Sequence, residues 1–412
     1  MKTNALAQTK IRTRGLRTLL LLLLASSAGV SLGNPQHWAA AIAAAASTNI
    51  SPAAPSSQKL RGPNPKPLQP KEYKRADLAI TFPTDGPRSV LVEASRSWRS
   101  DIRTHIVAGP AAEVHVRSLK AQGAHRGETF TKLPDFPGYP KALRAALTPL
   151  LALGALGAGK FKWLLYGDDD TIWVIPAVLR LLNAAGLNAD EPHMLSDYLI
   201  QLPDAARPVH STVTDFVEDP RCRPCPKGQK FCPCRLPPKC TQPDHWAFHN
   251  CTFKARLLPY GGVGIIYSVG MLRLLAQNPQ FFPSLVFKDV HRREPWGDRV
   301  VADAPRIKGF GFTRFQAARA PGVNCSRLFG TFSGFNERSG LEKIATKLQD
   351  AAKHQPVNLR ATLSMHVRTG PLLEGKRNLV KDYLPYYHKI VRSLYQLHEN
   401  STGSDIPALR FP

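Results

Sequence analysis

The chain has 412 residues, room for one large or two ordinary domains, and its 43% hydrophobic content suffices for a core, which excludes a disordered chain. Its 55 Lys and Arg against 30 Asp and Glu give a formal charge of +25, yet no zinc-finger spacing, RNP-type aromatic motif or compact basic stripe accompanies them. Eleven of the basic residues and only Glu72 among the acids fall within residues 1–75, so much of the excess is topological and nucleic acid is not the expected partner. The basic surplus in the rest of the chain suits a sugar diphosphate, an anionic glycan or membrane headgroups.

Residues 1–17 carry Lys2, Lys10, Arg12, Arg14 and Arg17, and no further formal charge follows until Lys59. Between them "TLLLLLLASSAGVSLG" supplies an apolar core shorter than the ~20 residues that cross a bilayer, although an uncharged stretch continues beyond Asn34-Pro35. Residues 1–17 are expected to be a cytosolic tail and 18–46 a signal-anchor, which makes a single-pass type II protein of the Golgi or endoplasmic reticulum. A cleaved signal peptide and an organelle transit peptide are the alternatives. Secretory topology agrees with four glycosylation sequons, at Asn49, Asn250, Asn324 and Asn400. Residues 47–75, rich in Pro, Ser, Ala and Lys, form an expected stem.

Folded structure is expected from residue 76. "ADLAITFPT" reads as a strand, "RSVLVEASRSW" as a helix and "DIRTHIVAG" as a second strand, the opening of an α/β sheet. "YPKALRAALTPLLALGAL" has amphipathic helical spacing and "FKWLLYG" is a buried strand. A helix follows in "VIPAVLRLLNAAG", with Pro176 in its first turn and Gly186 past its end. Farther on, "HMLSDYLI" reads as a strand, "LLPYGGVGIIYSVGMLRLLAQN" as a glycine-rich turn feeding a helix, and "PWGDRVVADAPRI" as a loop-to-helix start. "GLEKIATKLQDAAKH", a helix, and the strand-like "NLRATLSMHV" precede a basic, aromatic tail; residues 341–412 are taken as an extension.

Asp168, Asp169 and Asp170 stand side by side at the exit of the buried strand, where ligands of open α/β sheets bind. Three adjacent carboxylates repel, so something positive is expected beside them, and oxygen ligands at a loop suit Mn²⁺ or Mg²⁺ carrying substrate phosphates. Capping the next helix is the plainer role, but it needs one acid. Gly261, Gly262 and Gly264 either let the backbone approach a ligand or make a tight turn. Trp98, Trp173, Tyr260 and Trp296 either stack on sugar or base faces or belong to the core.

These segments resemble the Fringe-like β-1,3-glycosyltransferases of family 31, in the plant and algal branch. "KWLLYGDDDTIW" is similar to the family's aspartate motif, "YGGVGIIYS" to its acceptor-side glycine loop, "PWGDRVV" to its later acidic motif, and "SRSWRSDIRTHIVAG" to its Trp-ended helix before the second strand. The four occur in the family's order across residues 76–340. The resemblance implies a GT-A fold, a nucleotide-sugar-binding, Rossmann-like mixed sheet flanked by helices. It further implies a UDP-sugar donor, Mn²⁺ or Mg²⁺, transfer of a hexose or N-acetylhexosamine to a glycan or glycoprotein hydroxyl, and inversion.

On this reading Asp168, Asp169 and Asp170 hold the metal, with Asp168, Asp169 and Trp98 toward the nucleotide; Tyr260, Gly261, Gly262, Gly264 and Trp296 meet substrate, and Asp298 is the base. Helix N-capping is the alternative for Asp298. Two departures stand out. Gly297 replaces the first acid of the pair, and "GFGFTRF" lacks the family's metal-site histidine, for which His366 in "LSMHVRTG" is the downstream candidate, a structural strand histidine being its alternative. A catalytically silent carbohydrate-binding relative and a polyanion binder are the alternative functions. Six of the seven cysteines lie in an insert at residues 220–251, read as disulfides in an oxidising lumen, with zinc ligation the alternative and the pairing open.

Overall fold

The protein is described from a computed structural model, which covers residues 72–121, 127–196, 199–202, 211–212, 222–225, 227, 232–241, 256–259, 261–290, 297–312, 329–331, 342, 345–346, 348–349, 363–367 and 379–399. Residues 1–71, with the expected tail, anchor and most of the stem, lie outside the described residues. Among the described residues, no helix is long and apolar enough to cross a membrane.

In chain order the strands are β1 (Leu78–Thr84), β2 (Arg103–Ala108), β3 (Glu128–Lys132), β4 (Trp163–Tyr166), β5 (Thr171–Trp173), β6 (Met194–Leu195), β7 (Leu199–Leu202), β8 (Ser211–Thr212), β9 (Arg256–Pro259), β10 (Ile265–Ser268), β11 (Phe329–Thr331) and β12 (Ser364–His366). The helices are α1 (Val90–Ala94), α2 (Arg96–Arg99), α3 (Glu113–Ala121), α4 (Ala142–Leu156), α5 (Ile175–Ala185), α6 (Val269–Ala276), α7 (Phe281–Asp289), α8 (Gly297–Ile307), α9 (Leu379–Asp382) and α10 (Leu384–Glu399).

The main sheet runs β3-β2-β1-β4-β10-β6. Its first four strands are parallel, and β10 is antiparallel to both β4 and β6. Strands with both faces covered run largely apolar, and β1 and β4 are buried at every position but Pro83, with Thr81 and Thr84 the polar exceptions. Alternation sorts their side chains into two cores. Leu78, Ile80, Phe82, Trp163 and Leu165 point to one, shared with α1, α2, α5 and α10. Ala79, Leu164, Tyr166 and Tyr267 point to the other, shared with α4, α6, α7 and α8. The result is a mixed, mostly parallel sheet between two helical layers, the Rossmann-like arrangement expected from the sequence.

Local chemistry fixes the ends of the helices beside the sheet. In α5, Pro176 sits in the first turn, and Gly186 terminates it with a left-handed φ of 58°. In α6, the Ser268 side chain accepts a hydrogen bond from the Met271 N–H. Helix α4 is less amphipathic than its spacing suggested, because β1 and β2 cover one side while α6, α7 and α8 cover others.

Two expectations are corrected. "HMLSDYLI" is not one strand: β6 lies in the main sheet and β7 in a separate sheet, β8-β7-β9, the chain changing sheets after the polar Ser196. The glycine-rich turn does not feed a helix directly, since the run Ile265-Ile266-Tyr267 forms β10 in between. Within the expected C-terminal extension, α9 and α10 are helical, and Tyr383, Tyr387, Ile390 and Leu394 bury one face in the same core as β1.

Candidate metal centre

The order of strands reverses between β1 and β4, and ligands of open α/β sheets bind beyond the carboxyl ends flanking such a point. The two loops that leave these ends carry the charged groups. After β1 come Asp85 and Arg88; after β4 come Gly167 and the three aspartates. β5 begins at Thr171, so the triplet links the main sheet to a second sheet, β11-β12-β5.

That second sheet delivers a histidine. His366 of β12 pairs with Thr171 of β5, and its Nε2 lies 3.1 Å from Asp170 Oδ1. Ligand atoms of Asp168, Asp170 and His366 all lie within 4.8 Å of one another. Two carboxylates and one imidazole with this convergence fit a divalent cation, and the nitrogen donor suits Mn²⁺ better than Mg²⁺, which prefers oxygen throughout.

The three neighbouring acids are divided by the turn. Asp168 and Asp170 converge, whereas Asp169 is directed elsewhere: Thr84 Oγ1 donates to its Oδ2 at 2.8 Å, and Arg88 Nε donates to its Oδ1 at 2.7 Å. Asp169, expected among the metal ligands, is thus occupied by the β1 loop. Arg88 Nη2 also lies 2.9 Å from Asp170 Oδ2. Burial works against the guanidinium charge, but Asp169 and Asp170 outweigh it and hold its pKa above the ordinary value. At His366 burial likewise favours the neutral ring, yet the charge and hydrogen bond of Asp170, with Asp168 behind them, raise its pKa above the usual range. A bound cation would replace that proton.

Backbone contacts hold the triad. The Thr171 hydroxyl accepts from the Asp168 N–H at 2.9 Å and donates to the Gly262 carbonyl at 2.8 Å, stitching the aspartate loop to the glycine loop. The Val367 N–H donates to the Asp170 carbonyl at 3.0 Å. Tyr383 Oη donates to the Val367 carbonyl from behind.

Gly262 is glycine because of the histidine: a Cβ there would lie 2.3 Å from His366 Cε1. Gly264 has a left-handed φ of 96°, and its Cβ would lie 2.3 Å from Trp173 Cζ2. Both close approaches are to protein side chains. Gly261, at the head of the same turn, is buried. Trp173 packs inside the fold, 1% exposed. Trp98, expected toward the nucleotide, is 3% exposed and donates its indole N–H to Tyr387 Oη at 2.9 Å, which makes it a core residue.

Asp298 is the second residue of α8; its side chain lies outside the described residues, as do Tyr260 and Trp296 entirely. Gly297 has a packing reason, since a Cβ would lie 2.7 Å from the Ala142 carbonyl of α4. A second ionic group lines the rim next to the β1 loop. Asp85 pairs with Arg144 at 2.6 Å and with Lys141 at 2.8 Å, and Arg144 also reaches Asp135 at 2.5 Å.

In the insert, Cys222 pairs with Cys234 and Cys225 with Cys232, and Cys240 is also disulfide-bonded. These cysteines are therefore disulfides and not zinc ligands.

Arg88 and Thr171 were missed in the sequence. The repulsion of three acids called for a positive group, but nothing local marks an arginine after another strand as that group. No protein-family model matches the chain, and no curated protein matches it.

Proposed function

We propose that this chain is a Fringe-like, inverting glycosyltransferase of GT-A type, moving a hexose or N-acetylhexosamine from a UDP-sugar to a glycan or glycoprotein hydroxyl, with a β-1,3 linkage. The observation that carries the reading is the convergence of Asp168, Asp170 and His366 at the carboxyl end of β4, beside the strand-order reversal. His366 fills the role for which the acidic-motif helix has no following histidine.

Asp168, Asp170 and His366 would hold Mn²⁺ or Mg²⁺, which when bound supplies Lewis-acid stabilisation to the departing diphosphate. Asp169 keeps the loop in place through Thr84 and Arg88. Arg88 neutralises part of the carboxylate charge and, about a quarter exposed, presents its remaining surface toward solvent at the strand ends. Asp298, at the start of α8, would take the proton from the attacking acceptor hydroxyl. The N-terminal segment would anchor the enzyme with its catalytic domain in the Golgi or endoplasmic-reticulum lumen.

The test combines calorimetry with UDP release. Mn²⁺ with UDP is expected to bind and to raise the melting temperature. Asp168→Asn together with Asp170→Asn abolishes both effects, while Asp298→Asn keeps binding and loses transfer. Binding of UDP that ignores the metal and both aspartates would overturn the reading. Gly297, in place of an acid, favours a second reading as a silent carbohydrate-binding relative, for which binding persists without turnover of any UDP-sugar.

A further inference from the structure

The reaction above leaves the cysteine-rich insert unused, and its charge is one-sided. From Arg221 to Cys240 the chain has six basic residues and no acid. Arg223, Lys227, Arg235 and Lys239, the described ones, are all exposed, and none forms an ion pair among the described residues. A run of like charge in a flexible loop would spread apart. Here the two disulfides forbid it, and the Arg223 N–H donates to the Arg235 carbonyl at 2.8 Å, holding the two arginines on adjacent strands of backbone.

The insert is also fixed to the body of the protein. Arg306 Nη1 donates to the Cys240 carbonyl at 3.0 Å, the Leu236 N–H to the Gly309 carbonyl at 2.8 Å, and the Gly311 N–H to the Cys234 carbonyl at 2.9 Å. Arg235 lies over the Phe310 ring, 5.6 Å from its centroid. All of these contacts fall at the carboxyl end of α8 or just past it, while Asp298 stands at its start. Eleven residues of α-helix span roughly 16 Å, a length that a short oligosaccharide bridges.

We propose that this disulfide-pinned basic surface binds an anionic glycan bearing carboxylate or sulfate groups, so that the acceptor of the reaction is an acidic oligosaccharide. The statement about the acceptor rests on the glycosyltransferase reading; the binding surface does not. Arginine forks match carboxylate and sulfate in two-point contacts. A backbone already held by disulfides has little further freedom to lose on binding, which favours affinity.

The experiment uses the full chain with its disulfides intact and follows binding by calorimetry at two salt concentrations. The probes are a heparin-derived hexasaccharide, a neutral hexasaccharide, a single-stranded oligonucleotide of matched charge and vesicles containing phosphatidylserine. The anionic hexasaccharide is expected to bind and to weaken with salt, and the neutral one not to bind. Arg223→Glu, Lys227→Glu, Arg235→Glu and Lys239→Glu together weaken it about tenfold or more, leaving the UDP–Mn²⁺ response unchanged. The corresponding four glutamine substitutions give a smaller loss of the same sign, which keeps the test valid if the glutamate variant folds poorly. Unchanged affinity in the variants overturns the proposal, as does equal or tighter binding of the oligonucleotide or the vesicles. If hexasaccharide binding falls as expected but UDP–Mn²⁺ shows no binding to the unsubstituted chain, the surface stands and only the enzyme reading falls.

Discussion

Replacing Gly262 by alanine adds one methyl group at the point where the glycine loop touches His366, the histidine of the candidate site. Its carbon would stand 2.3 Å from Cε1, 2.5 Å from Nδ1 and 2.7 Å from Nε2 of His366. Favourable contact between such atoms begins near ~3.5 Å, so the ring must retreat by about 1 Å. It has little freedom to do so. His366 is paired in β12 with Thr171, and Val367 is tied to the Asp170 carbonyl in front and Tyr383 behind. The added methyl is therefore expected to cost about 1–3 kcal/mol of stability as overpacking. Moving the imidazole off its 3.1 Å contact with Asp170 is expected to weaken Mn²⁺ by about 10–100-fold, the usual cost of disturbing a ligand's support. Calorimetric titration of Mn²⁺ and thermal melting measure both. Gly159→Ala is the control, because nothing lies within 4 Å of the added carbon there. A Gly262→Ala protein that binds Mn²⁺ and melts like its parent refutes the assignment of His366 to the site.

Two further substitutions test the fold around the site. Burial pushes the pKa of His105, on β2, down to about 3, and its Nε2 meets no hydrogen-bond partner. The unfolded chain takes up this proton near pH ~6.5 and the folded one does not until near the depressed value, so stability is lost as pH falls through that window. Urea unfolding should show about 2–3 kcal/mol lost at this site between pH ~6.5 and ~4.5, with His105→Gln flattening the slope; an unaltered slope contradicts the burial argument. Gly297→Asp, which restores the acidic pair of the resembled family, should destabilise the α8–α4 contact by about 1–3 kcal/mol without raising transfer, because the new Cβ meets the Ala142 carbonyl at 2.7 Å. A stable, more active variant would mean that α8 shifts to accommodate it.

The parts legible in the sequence were those whose signals are local. β1, α1 and α2, β2, β4 and α5 follow from apolar runs and from Pro176 and Gly186, and the position of the aspartates follows from the end of a buried strand. What escaped is settled between distant segments. β10 is four residues long and sandwiched between a glycine turn and a helix, so its pairing with β4 and β6 is what defines it. The division of labour within the triplet depends on Arg88 and Thr84 arriving from β1. Gly262 and Gly264 were legible as close approaches, but whether a ligand or a protein side chain fills the space is decided by β12 and β5.

The triad is assembled from opposite parts of the chain: its acids follow the fourth strand of the main sheet, and its imidazole comes from the last strand, backed by Tyr383. A ribosome emits the first long before the second. Until the histidine strand emerges, Arg88 is the counter-ion that Asp169 and Asp170 have within reach. A product stopped before residue 363 therefore lacks both the nitrogen donor and the Tyr383, Tyr387, Ile390 and Leu394 side chains that cover one face of β1.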